Sequence, residues 1–229
     1  MSNLTVILGP TGSGKSTSIK NLDPKETMIL ALKAINKPLP FKGSMRMYNA
    51  ENKNYYALNN WENIITYMQS ASDNLKNIHN IIVEDATYVM RTEFFDRVDE
   101  RGYDKYNELA DHFRKIIAEG NSLRDDITVF MMLHTESIEA DGSLIGYKAS
   151  TVGKLLDKMY NPIESVSINL FSQPKYDDKG KPTFGFYTHP MKVNGIEIPA
   201  KSPDGMFEED FIPNDLQLIV NKMKEYYGG

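Results

Sequence analysis

The sequence predicts an α/β fold: a mostly parallel sheet with helices on both faces, followed by β-hairpins and a terminal helix. Two observations carry this. Residues 3–8, 27–32, 78–83 and 127–133 are continuously apolar rather than alternating, and helical patterns separate them, as expected of strands covered on both faces. Beyond about residue 137 the chain changes to short β-like runs flanking Asp141-Gly142, Lys179-Gly180 and Asn194-Gly195, which are hairpin-turn dipeptides.

The first strand runs over 3–8 and ends at Gly9. A helix over 15–22 follows, stopped by Asp23-Pro24, because proline lacks the N–H and its ring clashes with the preceding turn. The second strand covers 27–32, and residues 37–43, with Pro38, Pro40 and Gly43, are irregular. Trp61, Ile64, Ile65 and Met68 recur at helical spacing and predict a helix over 59–76. The third strand, 78–83, is closed by Glu84-Asp85. Tyr106, Leu109, Ala110, Phe113, Ile116 and Ile117 mark one apolar helix face, which Gly120 ends. The fourth strand, 127–133, is closed by His134. Residues 166–171 and 183–187 read as two arms of a hairpin, 198–213 as an ordered loop and 214–226 as an amphipathic helix. With no repeat or linker, the expected organisation is one domain over 1–229. Its core reaches about 136, a hairpin-rich extension covers 137–213 and a C-terminal helix covers 214–227.

Composition bounds the function. At 229 residues, 41% hydrophobic and 25% charged, the chain reads as a globular protein able to bury its own core. It has no cysteine, which excludes disulfides, thiolate metal sites and cysteine nucleophiles. No signal peptide pattern opens it and no apolar run reaches the roughly 20 residues of a membrane helix, so a cytoplasmic protein with no membrane partner is the simplest reading. The net charge of -5 argues against coating nucleic acid by bulk electrostatics, while leaving room for a local basic groove. Lys33, Lys37, Lys42, Arg46 and Lys53 form the one loose basic cluster and read as a solvated loop.

The chemistry-bearing motif is Gly9-Pro10-Thr11-Gly12-Ser13-Gly14-Lys15-Ser16-Thr17, which fits G-x-x-x-x-G-K-[ST] between a strand and a helix. Its glycines let the backbone N–H groups turn inward onto phosphate oxygens. The following helix adds its N-terminal partial charge. Lys15 is expected at the β- and γ-phosphates of ATP, and the Ser16 hydroxyl on Mg²⁺. A metal-holding acid is also needed at a neighbouring strand end, and Asp85 is the expected one. Glu84 is either a general base for the attacking water or turned away, since adjacent strand side chains face opposite sides. His134 either senses the γ-phosphate from the C-terminal edge of the sheet or is a satisfied structural histidine.

Taken in order, the Gly9–Thr17 loop, the run from Ile81 to Thr87 and the strand ending in Leu133-His134 resemble RecA-like ATPases of the AAA/ASCE group. More narrowly, with the segments 37–43 and 200–207, the chain resembles the small RecA-like ATPases of bacteriophages, some of which are single-strand annealing recombination proteins. The resemblance implies a RecA-like P-loop sheet, ATP and Mg²⁺ as cofactors, a homo-oligomer with ATP between subunits, and single-stranded DNA or a single-strand-binding protein as partner. It also implies the host cytoplasm as location. Lys148 and Lys154 are then candidates for a basic residue donated to a neighbour's site, or for DNA contact, against the plain reading of surface lysines. Tyr48, Tyr55, Tyr56 and Tyr176 are available for base stacking, or simply pack. The chain departs from the family after the second strand, where a catalytic glutamate is usual and Lys33 stands, and after Asp85, where Ala86 follows.

Two further readings stay open. One is a small-molecule kinase using Arg91, Arg97, Arg101 and Arg114 to gather phosphates. The other is a switch module that binds ATP without cleaving it.

Overall fold

The computed structural model describes residues 3–152 and 160–228. Six parallel strands form the centre. β1 (Asn3–Gly9), β2 (Thr27–Leu32), β3 (Tyr55–Leu58), β4 (Asn80–Val83), β5 (Thr128–Ala140) and β7 (Ile168–Ser172) lie in the order β3-β2-β4-β5-β1-β7, every pair parallel. β5 therefore separates the loop-bearing β1 from the acid-bearing β4, and all of these strands end on the same edge.

Alternation within each strand divides the core. Leu4, Val6 and Leu8 of β1 and Met28, Leu30 and Leu32 of β2 face one apolar cluster, and Ile7 and Ile29 face the other. The first cluster is covered by α2 (Trp61–Asn74), α3 (Thr87–Asp96) and α4 (Asp104–Ser122), which follow the short α1 (Ser44–Met47). The second is covered by a 3₁₀ turn at Ser16–Asn21 and by the C-terminal α5 (Leu216–Tyr227). No helix among the described residues is long and apolar enough to cross a membrane.

Several elements differ from the sequence expectations. The helix expected over 15–22 is a short 3₁₀ helix, Ser16–Asn21; Pro24 leaves no room for more, and the Ser18 hydroxyl donates to the Lys15 carbonyl at 2.5 Å. Gly120 lies inside α4 rather than ending it, and a Cβ there would stand 2.4 Å from Leu4 Cδ1, so the glycine serves the close approach of α4 to β1. His134 does not close its strand. β5 continues past it, leaves the buried sheet and pairs antiparallel with β6 (Ser143–Ala149) through Asp141-Gly142. β3 and α3 carry too little periodicity to be read from sequence. β7 does pair antiparallel with β10 (Gly185–Tyr187), as the expected hairpin requires, but it is also a parallel partner of β1. The excursion between these arms is the small ladder of β8 (Lys175–Tyr176) with β9 (Pro182–Thr183). β11 (Met191–Val193) and β12 (Ile196–Ile198) pair about Asn194-Gly195, and β13 (Phe211–Pro213) pairs with β10 at the edge of the main sheet.

Candidate functional site

Gly9 ends β1, and the chain then turns over the C-terminal edge of the sheet. Gly12 and Gly14 take φ of 79° and 104°, values that a side chain disfavours. A Cβ on Gly14 would also meet Asn214 Nδ2 at 2.8 Å and Phe184 Cδ1 at 3.1 Å. The Ser13 N–H donates to the Pro10 carbonyl at 3.3 Å. Lys15 folds back over the loop, its Nζ donating to the Gly9 carbonyl at 2.7 Å and the Pro10 carbonyl at 2.9 Å. Burial draws the Lys15 ammonium down to about 8, against the attraction of Asp85 and Glu84. Thr11 through Thr17 line a cleft of about 740 Å³.

The two acids follow β4, Asp85 lining the cleft and Glu84 buried against Ser16. Strand alternation should point Glu84 and Asp85 apart, but Asp85 takes a left-handed φ of 49°. That turn ends the alternation and brings both carboxylates to the loop. Glu84 accepts a hydrogen bond from the Ser16 hydroxyl. Asp85 accepts from His134 Nε2 at 2.9 Å and from Lys37 Nζ at 2.5 Å. Burial raises the Glu84 carboxyl to about 7, with the Asp85 charge adding to it. Asp85 is also pushed up by burial, but the hydrogen bonds from His134 and Lys37 outweigh that and hold it at about 2. An ionised Asp85 can only accept, so His134 carries its proton on Nε2. The His134 backbone N–H donates to Thr87 Oγ1 at 2.9 Å, and Tyr88 packs edge-on to its ring at 5.7 Å.

The structure thus brings together Lys15, Ser16, Glu84, Asp85 and His134. It places Ser16 against Glu84, where the sequence reading had paired it with Asp85. Lys37, expected in a solvated loop, instead places its ammonium on Asp85. The signal that could have found it is its place just past the C-terminal end of β2, the edge where open α/β sheets bind ligands. Phe184, Asn214 and Asp215 also line the cleft, and no local pattern could have found them, since the Asn214 Nδ2 bond to the Gly14 carbonyl at 2.9 Å spans 200 positions.

Other candidates lie elsewhere. Lys148 stands on β6, 3.7 Å from Glu136 and outside the cleft lining; Lys154 lies outside the described residues. Arg91 bonds Ser150 and stacks on Tyr88, Arg97 is ringed by Glu93, Glu100 and Glu108, and Arg114 pairs with Asp111. Among the described residues no arginine lines the cleft, which counts against the kinase reading. Tyr48 is buried with its hydroxyl on the Leu22 carbonyl, Tyr55 and Tyr56 bond nearby loops, and Tyr176 is exposed.

The residues fit a magnesium–nucleotide. Glu84 Oε2 is buried with no hydrogen-bond partner, beside the Ser16 hydroxyl. A carboxylate beside a hydroxyl suits Mg²⁺, a cation usually held by one or two carboxylates, waters and substrate phosphates.

A search of curated proteins finds no match. The family model described as an AAA domain matches residues 2–168, a span that holds the phosphate-binding loop, both acids, Lys37 and His134. The chain belongs to the AAA domain family of nucleotide-binding P-loop ATPases.

Proposed function

We propose that the protein is a Mg²⁺-dependent ATPase acting as a homo-oligomer on single-stranded DNA in recombination or replication. The observation that carries the catalytic part is the pairing of Ser16 with Glu84 while Asp85 turns beside it. On this reading Glu84 and Ser16 hold the ion, and Asp85 takes the water-orienting place, exchanging the roles expected for the two acids. Lys15 binds the β- and γ-phosphates, and His134 reports the γ-phosphate through its bond to Asp85. The ion would neutralise charge on the β- and γ-oxygens. The attacking water's oxygen bonds the γ-phosphorus as the bond to the β–γ bridging oxygen breaks, giving ADP and phosphate. A carboxylate held at about 2 is a weak proton acceptor, so Asp85 orients the water and the proton leaves with the phosphate. That weakness favours slow turnover, and with it the switch reading as the second possibility.

The DNA-linked part rests on the resemblance to phage recombination ATPases. The exposed Tyr176 ring of the β8–β9 excursion, in a stretch with three lysines and two aspartates, is a surface on which a base can stack. A single-strand-binding protein is the further partner on the same ground. The test is phosphate release from Mg-ATP with and without single-stranded DNA, beside Lys15→Ala. Release that DNA stimulates and the variant lacks supports the whole reading. Release indifferent to DNA removes the DNA link, and tight binding without release favours the switch.

A further inference from the structure

We infer that Lys37 is a cation this chain supplies to its own γ-phosphate, so that the site needs no basic residue from a neighbouring subunit. The inference rests on the ATP-binding reading above.

Lys37 follows β2 in the proline-bearing loop, and with Pro38 and Pro40 it forms the wall of the cleft facing the phosphate loop. An ordinary surface lysine pairs with an exposed acid and contributes little. Here the side chain is 59% exposed but its partner, Asp85, is 4% exposed. The loop is fixed on both sides of the residue. The Tyr55 hydroxyl donates to Asn36 Oδ1 at 3.1 Å and to the Lys37 carbonyl at 3.4 Å. Leu39 is buried, and its carbonyl accepts from the Ser44 hydroxyl at 2.8 Å. Pro38 fixes its own φ and restricts the backbone of Lys37 itself. The ammonium is therefore presented to the cleft by an anchored segment.

The charge balance points the same way. Among the described residues the cations of the cleft are Lys15, Lys20 and Lys37, with no arginine. Lys20 stands beyond the phosphate loop, and Lys37 alone joins Lys15 on the side of the two acids. Asp85 already has His134 as a partner, so Lys37 can bridge its carboxylate and a phosphate oxygen. A cation there stabilises the charge that builds on the γ-phosphoryl oxygens as the bond to ADP breaks.

The test compares the affinities of ADP and a non-hydrolysable ATP analogue, each with Mg²⁺, for wild type, Lys37→Ala and Lys37→Arg by calorimetry. Lys37→Ala should keep its ADP affinity and lose about 10- to 100-fold for the analogue, the loss of one charge-assisted contact; Lys37→Arg should recover most of it. Equal loss for both nucleotides, or no loss, overturns the inference. Mixing Lys37→Ala with Lys15→Ala then separates own from neighbouring phosphate: ATPase activity restored by mixing overturns action within one chain, and none restored upholds it. Wild type that binds neither nucleotide sinks the reading of the cleft and this inference together. Wild type that binds without hydrolysing sinks only the ATPase reading, and the affinity ratio alone then decides on Lys37.

Discussion

The left-handed backbone of Asp85 sets how the two neighbouring acids are aimed. A non-glycine residue at φ 49° carries a strain of about 1–3 kcal/mol, and at Asp85 the bonds from Lys37 and His134 hold it in place. On the proposed reading that turn gives two adjacent carboxylates different roles at one site, and substitution should separate them. Asp85→Asn should bind Mg-ATP normally and lower kcat by about 10²–10³-fold, the loss expected when one preorganised polar contact is removed. Glu84→Gln should instead move the Mg²⁺ concentration needed for half-maximal binding upward, read by titrating the ion against nucleotide fluorescence. If Asp85→Asn shifts the Mg²⁺ midpoint and Glu84→Gln does not, the roles are those the sequence first suggested. At this scale the phosphate loop was legible because its requirements fall within nine consecutive residues, Gly9 to Thr17. The pairing of Ser16 with Glu84, and of Lys37 with Asp85 across 48 positions, was not. Both depend on one backbone dihedral that no residue type announces.

Between elements, Arg124 joins parts that packing alone leaves unsatisfied. It sits in the connection from α4 to β5, where its guanidinium closes off the end of α2. One Nη donates to the carbonyls of Ala71, Ser72 and Leu75 at 3.1, 2.9 and 3.3 Å, and the other to Ile78 at 2.5 Å. Ala71 and Leu75 also accept backbone N–H groups, from Leu75 and Ile78 at 3.2 and 3.0 Å, so the guanidinium adds second bonds to carbonyls at a helix end, where acceptors outnumber donors. Its side chain is 18% exposed, so water replaces it poorly. Arg124→Ala should cost about 1.5–3 kcal/mol in urea unfolding. Arg114→Ala, which loses only an exposed pair with Asp111, should cost under about 1 kcal/mol; equal costs would mean that Arg124 is no clamp. Elements of strong periodicity were legible: α2 and α4 sit within a few residues of their expected bounds, and β2 covers its expected range. β3, with exposed Ala57 and half-buried tyrosines, lacks a buried-strand signature. β7 reads equally as a hairpin arm or a central strand, because only β1 beside it tells which.

Across the whole molecule, the C-terminus closes over the N-terminal loop. Leu216, Ile219, Val220 and Met223 of α5 enter the same apolar cluster as Ile7 and Ile19 on either side of the phosphate loop. Asn214 bonds the Gly14 carbonyl, and Asp215, which caps α5, accepts from Asn21 Nδ2 at 2.7 Å. A ligand that orders residues 9–17 thereby orders the start of α5, although about 200 positions separate them. Saturating Mg-ATP should therefore slow amide exchange in α5 and β13 as well as in the loop. It should also raise Tm: ligand at about 100 times its Kd contributes about 2.7 kcal/mol, which for a chain of this size is about 5–10 °C. Asn214→Ala tests the route. It removes the bond to Gly14 but leaves the apolar face of α5 intact, so the loop should still gain protection on binding while α5 gains much less. Undiminished protection of α5 in that variant would mean that the coupling runs through the core beneath the sheet, by way of Ile19 and Ile219, and not through the cleft wall.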